Sequence, residues 1–222
     1  MDFKMEEILL IAKKLFYEQG YNNTSFSMIA KEISSSRSAI AFFFNSKFNL
    51  ANEVYSKISR DRKNRIGGEL YKRNSFDVFI STAVEHRVLL NSCREDEKVR
   101  RFICELNENS VGFELHDRLY YYILSEAKNL FTDIDTKTEQ LLKLHNVTVR
   151  GAHLMLLVYY FRKGLDSEVD FDFFCEYYIK SAHLMYQMDE ESSNEIVEKS
   201  KTIFEQLNII YTPYFNFEIT GN

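Results

Sequence analysis

A chain of 222 residues with a single proline, Pro213, and only seven glycines has little to stop a helix once it has started. Proline removes a backbone donor and blocks a helix interior, and glycine weakens it, so long stretches here are punctuated only by caps and polar turns. Strand-type alternation of apolar and polar residues is scarce, and the chain is expected to be all-α. With 45% apolar residues it can bury a substantial core, divided between one small and one larger domain. The longest strongly apolar run, Leu154 to Phe161, is bounded by His153 and Arg162, and Met1 to Glu7 is acidic. Neither a membrane span nor a signal peptide is expected. Cys93, Cys104 and Cys175 are odd in number and lack metal-type spacing, which fits a reducing cytoplasm.

The most specific stretch lies between Asn23 and Lys47, where two short amphipathic segments are separated by a polar turn. Thr24 or Ser25 can cap the first, whose Met28, Ile29 and Ile33 share a face, and Ser34 to Ser36 break it. Ser36 can then accept from the free amides of a second helix, in which Ile40, Phe43 and Phe44 recur at helical spacing. The other side of that helix carries Arg37, Ser38, Ala41 and Phe42, the side chains a helix-turn-helix would offer to a major groove. Charge agrees with this assignment. Residues 1–66 hold 11 Lys and Arg against 7 Asp and Glu, a net of +4, whereas residues 67–222 hold 17 against 26, a net of −9. A basic head on an acidic body is what one phosphate-binding end requires.

Residues 5–55 resemble the N-terminal domain of the TetR family of transcriptional regulators. The resemblance is carried by Leu15-Phe16-Tyr17-Glu18-Gln19-Gly20-Tyr21, Thr24-Ser25, Ile29-Ala30, Ser36-Arg37-Ser38, Phe44, and Ser46-Lys47 leading to Leu50. It implies a three-helix, helix-turn-helix DNA-binding domain over residues 1–47. A linking helix from Lys47 would join it to a larger helical effector-binding and dimerisation domain over 48–222. It further implies a cytoplasmic homodimer that binds double-stranded operator DNA as a repressor and is released by an aromatic or hydrophobic small molecule. The DNA-binding residues are then expected to be Thr24, Ser25, Ser27, Ser36, Arg37, Ser38, Ala41, Phe42 and Lys47. The sequence departs from the family at Ile40-Ala41-Phe42-Phe43-Phe44, where hydroxyl-bearing aromatics are common, and at Ser34 and Ser35. A protein of the same fold that has lost DNA binding is therefore an alternative.

Helices are expected near residues 75–92, 95–109, 113–131, 136–163, 168–188 and 192–210. Apolar stripes run through Leu154, Leu157 and Phe161 in one long segment and Phe174, Tyr178 and Met185 in the next. By analogy with the family these six residues are expected at a dimer interface, and the alternative is that they are internal core. Clustered aromatics near acidic residues suggest a pocket with Glu105, Tyr121, Tyr159 and Tyr177 in its walls, suited to a flat and even cationic ligand.

His86, His116, His145, His153 and His183 include no chelating pair. They are expected to be ordinary core or surface histidines, with a metal- or haem-sensing regulator as the weaker alternative. No cofactor or metal is expected. A nucleophile elbow, a P-loop, a dinucleotide fingerprint and a His-Glu-x-x-His motif are all missing from the sequence, and the chain is not expected to be an enzyme.

Overall fold

The computed structural model describes residues 3–109, 136–185 and 188–221. Helix α1 (Phe3–Gln19) ends at Gly20, whose φ of +82° carries the chain into the next turn. The positive φ favours glycine there, and a Cβ at that position would lie 2.5 Å from Glu105 Oε2 and displace that carboxylate. Helices α2 (Phe26–Glu32) and α3 (Arg37–Phe44) complete the head, and α4 (Lys47–Lys72) leads out of it. Three serines start these helices: the Oγ atoms of Ser25, Ser36 and Ser46 accept from the amides of Met28, Ala39 and Asn49. Ser34, at φ +49°, makes the turn between α2 and α3.

Helix α4 runs unbroken through Gly67-Gly68 and ends at Lys72. Ile66 and Leu70 are fully buried on either side of the glycines and hold the helix through them. At about 1.5 Å per residue it is about 39 Å long. The body adds α5 (Val78–Glu95), α6 (Glu97–Glu108), α7 (Thr136–Arg162), α8 (Phe171–Met185) and α9 (Glu190–Leu207). Asp77, Asp96 and Asp189 cap α5, α6 and α9. The expected helix over 113–131 falls outside the described residues.

The C-terminus departs from an all-helical reading in one detail. Asn208 takes a left-handed conformation and ends α9, and the chain then forms an antiparallel hairpin of β1 (Ile209–Thr212) and β2 (Asn216–Ile219). Its loop places Tyr214 and Phe215 at φ +63° and +60°, a region costly for side chains with a Cβ. Both rings pack on Tyr17 of the head, and Phe215 also packs on Phe102 of α6. The hairpin is bolted to α4 as well: Arg65 Nη1 donates to the Phe217 carbonyl at 2.6 Å and Arg73 Nη2 to that of Gly221 at 2.9 Å. Head and body share one continuous core, running from Ile8, Phe16 and Ile40 through Leu50 and Val54 to Phe102, Leu157 and Phe174.

Glu85 on α5 is buried, and loss of solvent pushes its carboxyl up to about 7 against the pull of Lys63 and Arg62 on α4. A carboxyl raised in the folded state favours folding at low pH and loses that advantage as pH rises between the unfolded and folded values. Wild-type stability should therefore fall between about pH 4.5 and 7 on this account, and Glu85→Gln should be more stable than wild type at pH 8 by on the order of 3 kcal/mol. The two proteins should match at pH 4. Urea unfolding at both pH values checks this, and an equal gain at both would assign the effect to packing instead.

Candidate functional site

Helix α3 stands on the head with Ile40 and Phe44 buried beneath it. Its outer face carries Arg37 and Ser38, both exposed, and Phe42, which at 82% exposure is the most exposed large apolar side chain described. Ala41 is half-buried beside it. Phe43 is half-buried, packs against the head's core and meets Phe42 edge-on at 5.5 Å. The apolar tip of the outer face is thus Phe42, and a hydroxyl added to Phe43 would point into packing.

The other expected DNA-binding residues divide. Ser25 and Ser36 spend an oxygen lone pair on their caps but keep an O–H; Ser36 Oγ also lies 2.9 Å from Ser38 Oγ, either hydroxyl being able to donate, while Ser27 is exposed. Thr24 must be corrected: it is 1% exposed and its hydroxyl donates to the Gly20 carbonyl at 2.7 Å, so it seals the turn after α1 and cannot reach a phosphate. Lys47 is also turned inward. Its Nζ donates to the Tyr21 and Asn22 carbonyls at 2.9 and 3.3 Å and lies 4.4 Å from the centre of the Tyr21 ring. Burial lowers its pKa, with Glu105 opposing, as suits an ammonium that holds backbone together. Exposed Lys31, in the last turn of α2, was not singled out from the sequence, and its only signal there is its charge.

In the body, four of the six expected interface residues prove to be core. Leu157, Phe174 and Tyr178 are each 2% exposed and Leu154 is buried, all within one chain. Phe161 is half-buried against Phe171 and Phe174, and the side chain of Met185 lies outside the described residues. The outward apolar face of α7 and α8 consists instead of Met155, Tyr159, Phe173, Tyr177 and Leu184, the last 68% exposed. Among the described residues Tyr159 and Tyr177 line no enclosed cavity, but the structure does bring them together in the wall of an open apolar groove on this face, with Met155 and Leu184. Glu105 is not with them: it is buried against the head and accepts from the Asn22 amide at 2.9 Å. Tyr121 lies outside the described residues.

A cavity of about 50 Å³ does lie between α5, α7 and α8, with Phe79, Val149 and Ile179 among its apolar walls. It gathers His86, His153 and His183, which are far apart in sequence, together with Asn146 and Arg150. His153 Nε2 lies 2.9 Å from both the Tyr178 carbonyl and Ser181 Oγ, and its ring stacks on Tyr178 at 3.9 Å. Burial drives its pKa down to about 4 and lowers that of His183, whose Nδ1 is 2.9 Å from Ser193 Oγ. Both rings are neutral near pH 7. No acidic side chain lines this cavity among the described residues, which argues against the cationic ligand expected from the sequence. Among the described residues no three His, Cys, Asp or Glu side chains are grouped to hold a metal ion. The three cysteines are buried thiols, with burial pushing Cys104 and Cys175 up to about 12 and Cys93 higher still. Among the described residues no helix is long and apolar enough to cross a membrane.

No curated protein matches the sequence. Among solved structures, the chain is similar to the fatty acid degradation regulator FadR from Bacillus halodurans. They share 18% identity with a TM-score of 0.45, over 83% of this chain and 95% of that one. A second similar structure comes from work on control of antibiotic production by bacterial hormones, at 15% identity and a TM-score of 0.42, over 85% of this chain and 98% of that one. Residues 8–54 match the family described as bacterial regulatory proteins, tetR family. That match covers most of α1, all of α2 and α3 and the first two turns of α4, so it is the head of this chain that is similar to the DNA-binding unit of tetR-family bacterial regulators.

Proposed function

We propose that this protein is a ligand-responsive transcriptional repressor that binds its operator as a homodimer in the cytoplasm and leaves it when a small molecule occupies the body. The observation that carries the reading is the outer face of α3. Arg37, Ser38 and Phe42 project from a helix whose start is capped and whose inner face is locked into the head's core. A rigid helix with one arginine in its first turn and an exposed apolar tip suits a major groove, with the guanidinium toward a guanine edge or phosphate and the ring toward thymine methyls. Residues 1–47 would read DNA and 48–222 would sense the effector and dimerise.

The cavity among α5, α7 and α8 supports the ligand-responsive part of the reading. Its walls are mostly apolar with a few convergent polar groups, the usual make-up of a small-molecule site. The body's apolar face on α7 and α8 supports the dimer, since a two-fold pair would cover it and set two reading helices about one DNA turn apart. This function needs no cofactor and no catalytic step.

Operators can be selected from random duplexes with the purified protein and then footprinted. Arg37→Ala should weaken the selected site by about 1–3 kcal/mol per half-site and relax one base position in each half. Phe42→Ala should relax a different position and leave folding unchanged. If no sequence is enriched, the chain has the fold without the DNA binding, and if Arg37→Ala footprints like the parent, the groove assignment is wrong.

A further inference from the structure

The C-terminal hairpin roofs a second cavity, about 40 Å³ in volume, that shares no lining residue with the one among α5, α7 and α8. It lies where the moving parts of such a regulator meet. Lys13 comes from α1 of the head, Asp61, Arg62 and Arg65 from α4, Asp96 from the junction of α5 and α6, and Phe215 from the hairpin. Three cations against two carboxylates leave the lining at a formal charge of +1.

The two carboxylates do little to relieve that excess. Asp96 is saturated, with Oδ2 accepting from the Tyr17 hydroxyl at 2.7 Å and Oδ1 from the Lys98 and Val99 amides. Asp61 is exposed and makes no ion pair among the described residues. Lys13 is half-buried and makes neither a hydrogen bond nor an ion pair among the described residues. Its amine is lowered chiefly by burial, with Asp61 opposing and Arg65 and Lys57 adding repulsion. Arg62 Nε is buried without a hydrogen-bond acceptor. The rest of the wall is largely apolar, with Val88, Ile103 and Phe217 facing the same space.

We propose that this cavity is a binding site for a compact monocarboxylate with an apolar body, its carboxylate held by Lys13 and Arg62 and its body against the hairpin. A single negative charge cancels the excess, and the two unsatisfied donors receive an acceptor. As it stands, the space holds only a few waters. A carboxylic acid larger than acetate must push the hairpin outward, against the Arg65 bond to the Phe217 carbonyl. Occupancy therefore acts on α4 directly, whereas the histidine-lined cavity has no α4 residue in its walls. The site stands whether or not the chain binds an operator.

The test is calorimetric titration of the full-length protein with benzoate, benzamide and inorganic phosphate at constant ionic strength. Wild type is compared with Lys13→Met, Arg62→Met and Ala83→Phe, the last filling the other cavity. Benzoate should bind saturably, one per chain, and benzamide at least tenfold more weakly. Lys13→Met and Arg62→Met should each weaken benzoate at least tenfold with the helical circular dichroism intact, while Ala83→Phe should leave it unchanged. Absence of saturable benzoate binding overturns the proposal, as does equal binding of benzamide. Loss of binding in Ala83→Phe with retention in Lys13→Met would assign the ligand to the other cavity and overturn it too. If either methionine variant fails to fold, the other carries the test, and phosphate binding with no benzoate binding counts against the apolar half of the site.

Discussion

Met155→Glu combined with Leu184→Glu should give a folded monomer that has lost at least a hundredfold in operator affinity. Both side chains lie on the exposed α7 and α8 face alongside Tyr159 and Tyr177, at 46% and 68% exposure, so a charge on either stays solvated in the single chain. In a dimer built on this face, four carboxylates would be taken out of water with no cation opposite, which an interface does not tolerate. The DNA penalty follows from geometry. Two heads on one dimer bind their half-sites as a linked pair, and unlinking them forfeits an avidity of about 10² to 10⁴. Leu157→Glu is the informative control. Leu157 is 2% exposed inside one chain, so a charge there should unfold the protein and not merely split it. Sedimentation and circular dichroism on both variants separate the two effects, and a persistent dimer in Met155→Glu/Leu184→Glu moves the interface elsewhere.

Leu157 and Leu184 also show where the sequence is legible and where it is not. The head could be read because its signals are local: Ser25, Ser36 and Ser46 each cap the helix that follows by accepting from an amide three residues ahead, and Gly20 stops α1 through its own φ. Such devices leave a mark within four residues of where they act. Which side of α7 faces the core is a different matter. Leu154, Leu157 and Val158 are buried while Met155 and Tyr159 are exposed, yet all are apolar, and a helix that is apolar nearly all round gives no periodic clue to its inner face.

The backbone role of Lys47 is hidden in the sequence for a related reason. Its partners are the carbonyls of Tyr21 and Asn22, about 25 residues back, and a backbone acceptor has no residue type to announce it. Thr24 looked like a second cap beside Ser25, but its hydroxyl reaches back to Gly20 while Ser25 takes the cap. The hairpin was missed because four-residue strands carry too little alternation to register, and because its loop uses Tyr214 and Phe215 where glycine or asparagine would have signalled a turn. The histidine-lined cavity draws its polar groups from three helices separated by tens of residues, so no spacing rule could assemble it.

Phe102→Ala should be the most destabilising single change in the junction between head and body, costing about 3–5 kcal/mol. Phe102 is fully buried on α6, where its ring stacks on Phe16 of α1 at 5.4 Å and meets Phe215 of the hairpin at 4.9 Å. One side chain thus fills the space among head, body and hairpin, and its loss removes both the transfer term and the contacts that hold two strained loop residues in place. In a domain whose total stability is about 5–15 kcal/mol, that is a large share. Phe102→Leu, which refills much of the volume, should cost about 1–2 kcal/mol. Phe42→Ala should cost less than about 0.5 kcal/mol, since its ring lies almost wholly in solvent. The two phenylalanines are then a matched pair, Phe102 needed for folding and Phe42, on the function proposed above, for contact with DNA. Hydrogen exchange adds a test of place as well as size: in Phe102→Ala the amides of α1 and of the hairpin should lose protection first, because their shared contact is gone while α7 still packs on α8. Uniform loss of protection through α7 and α8 would mean that the ring supports the body's core in general and does not join the head to it.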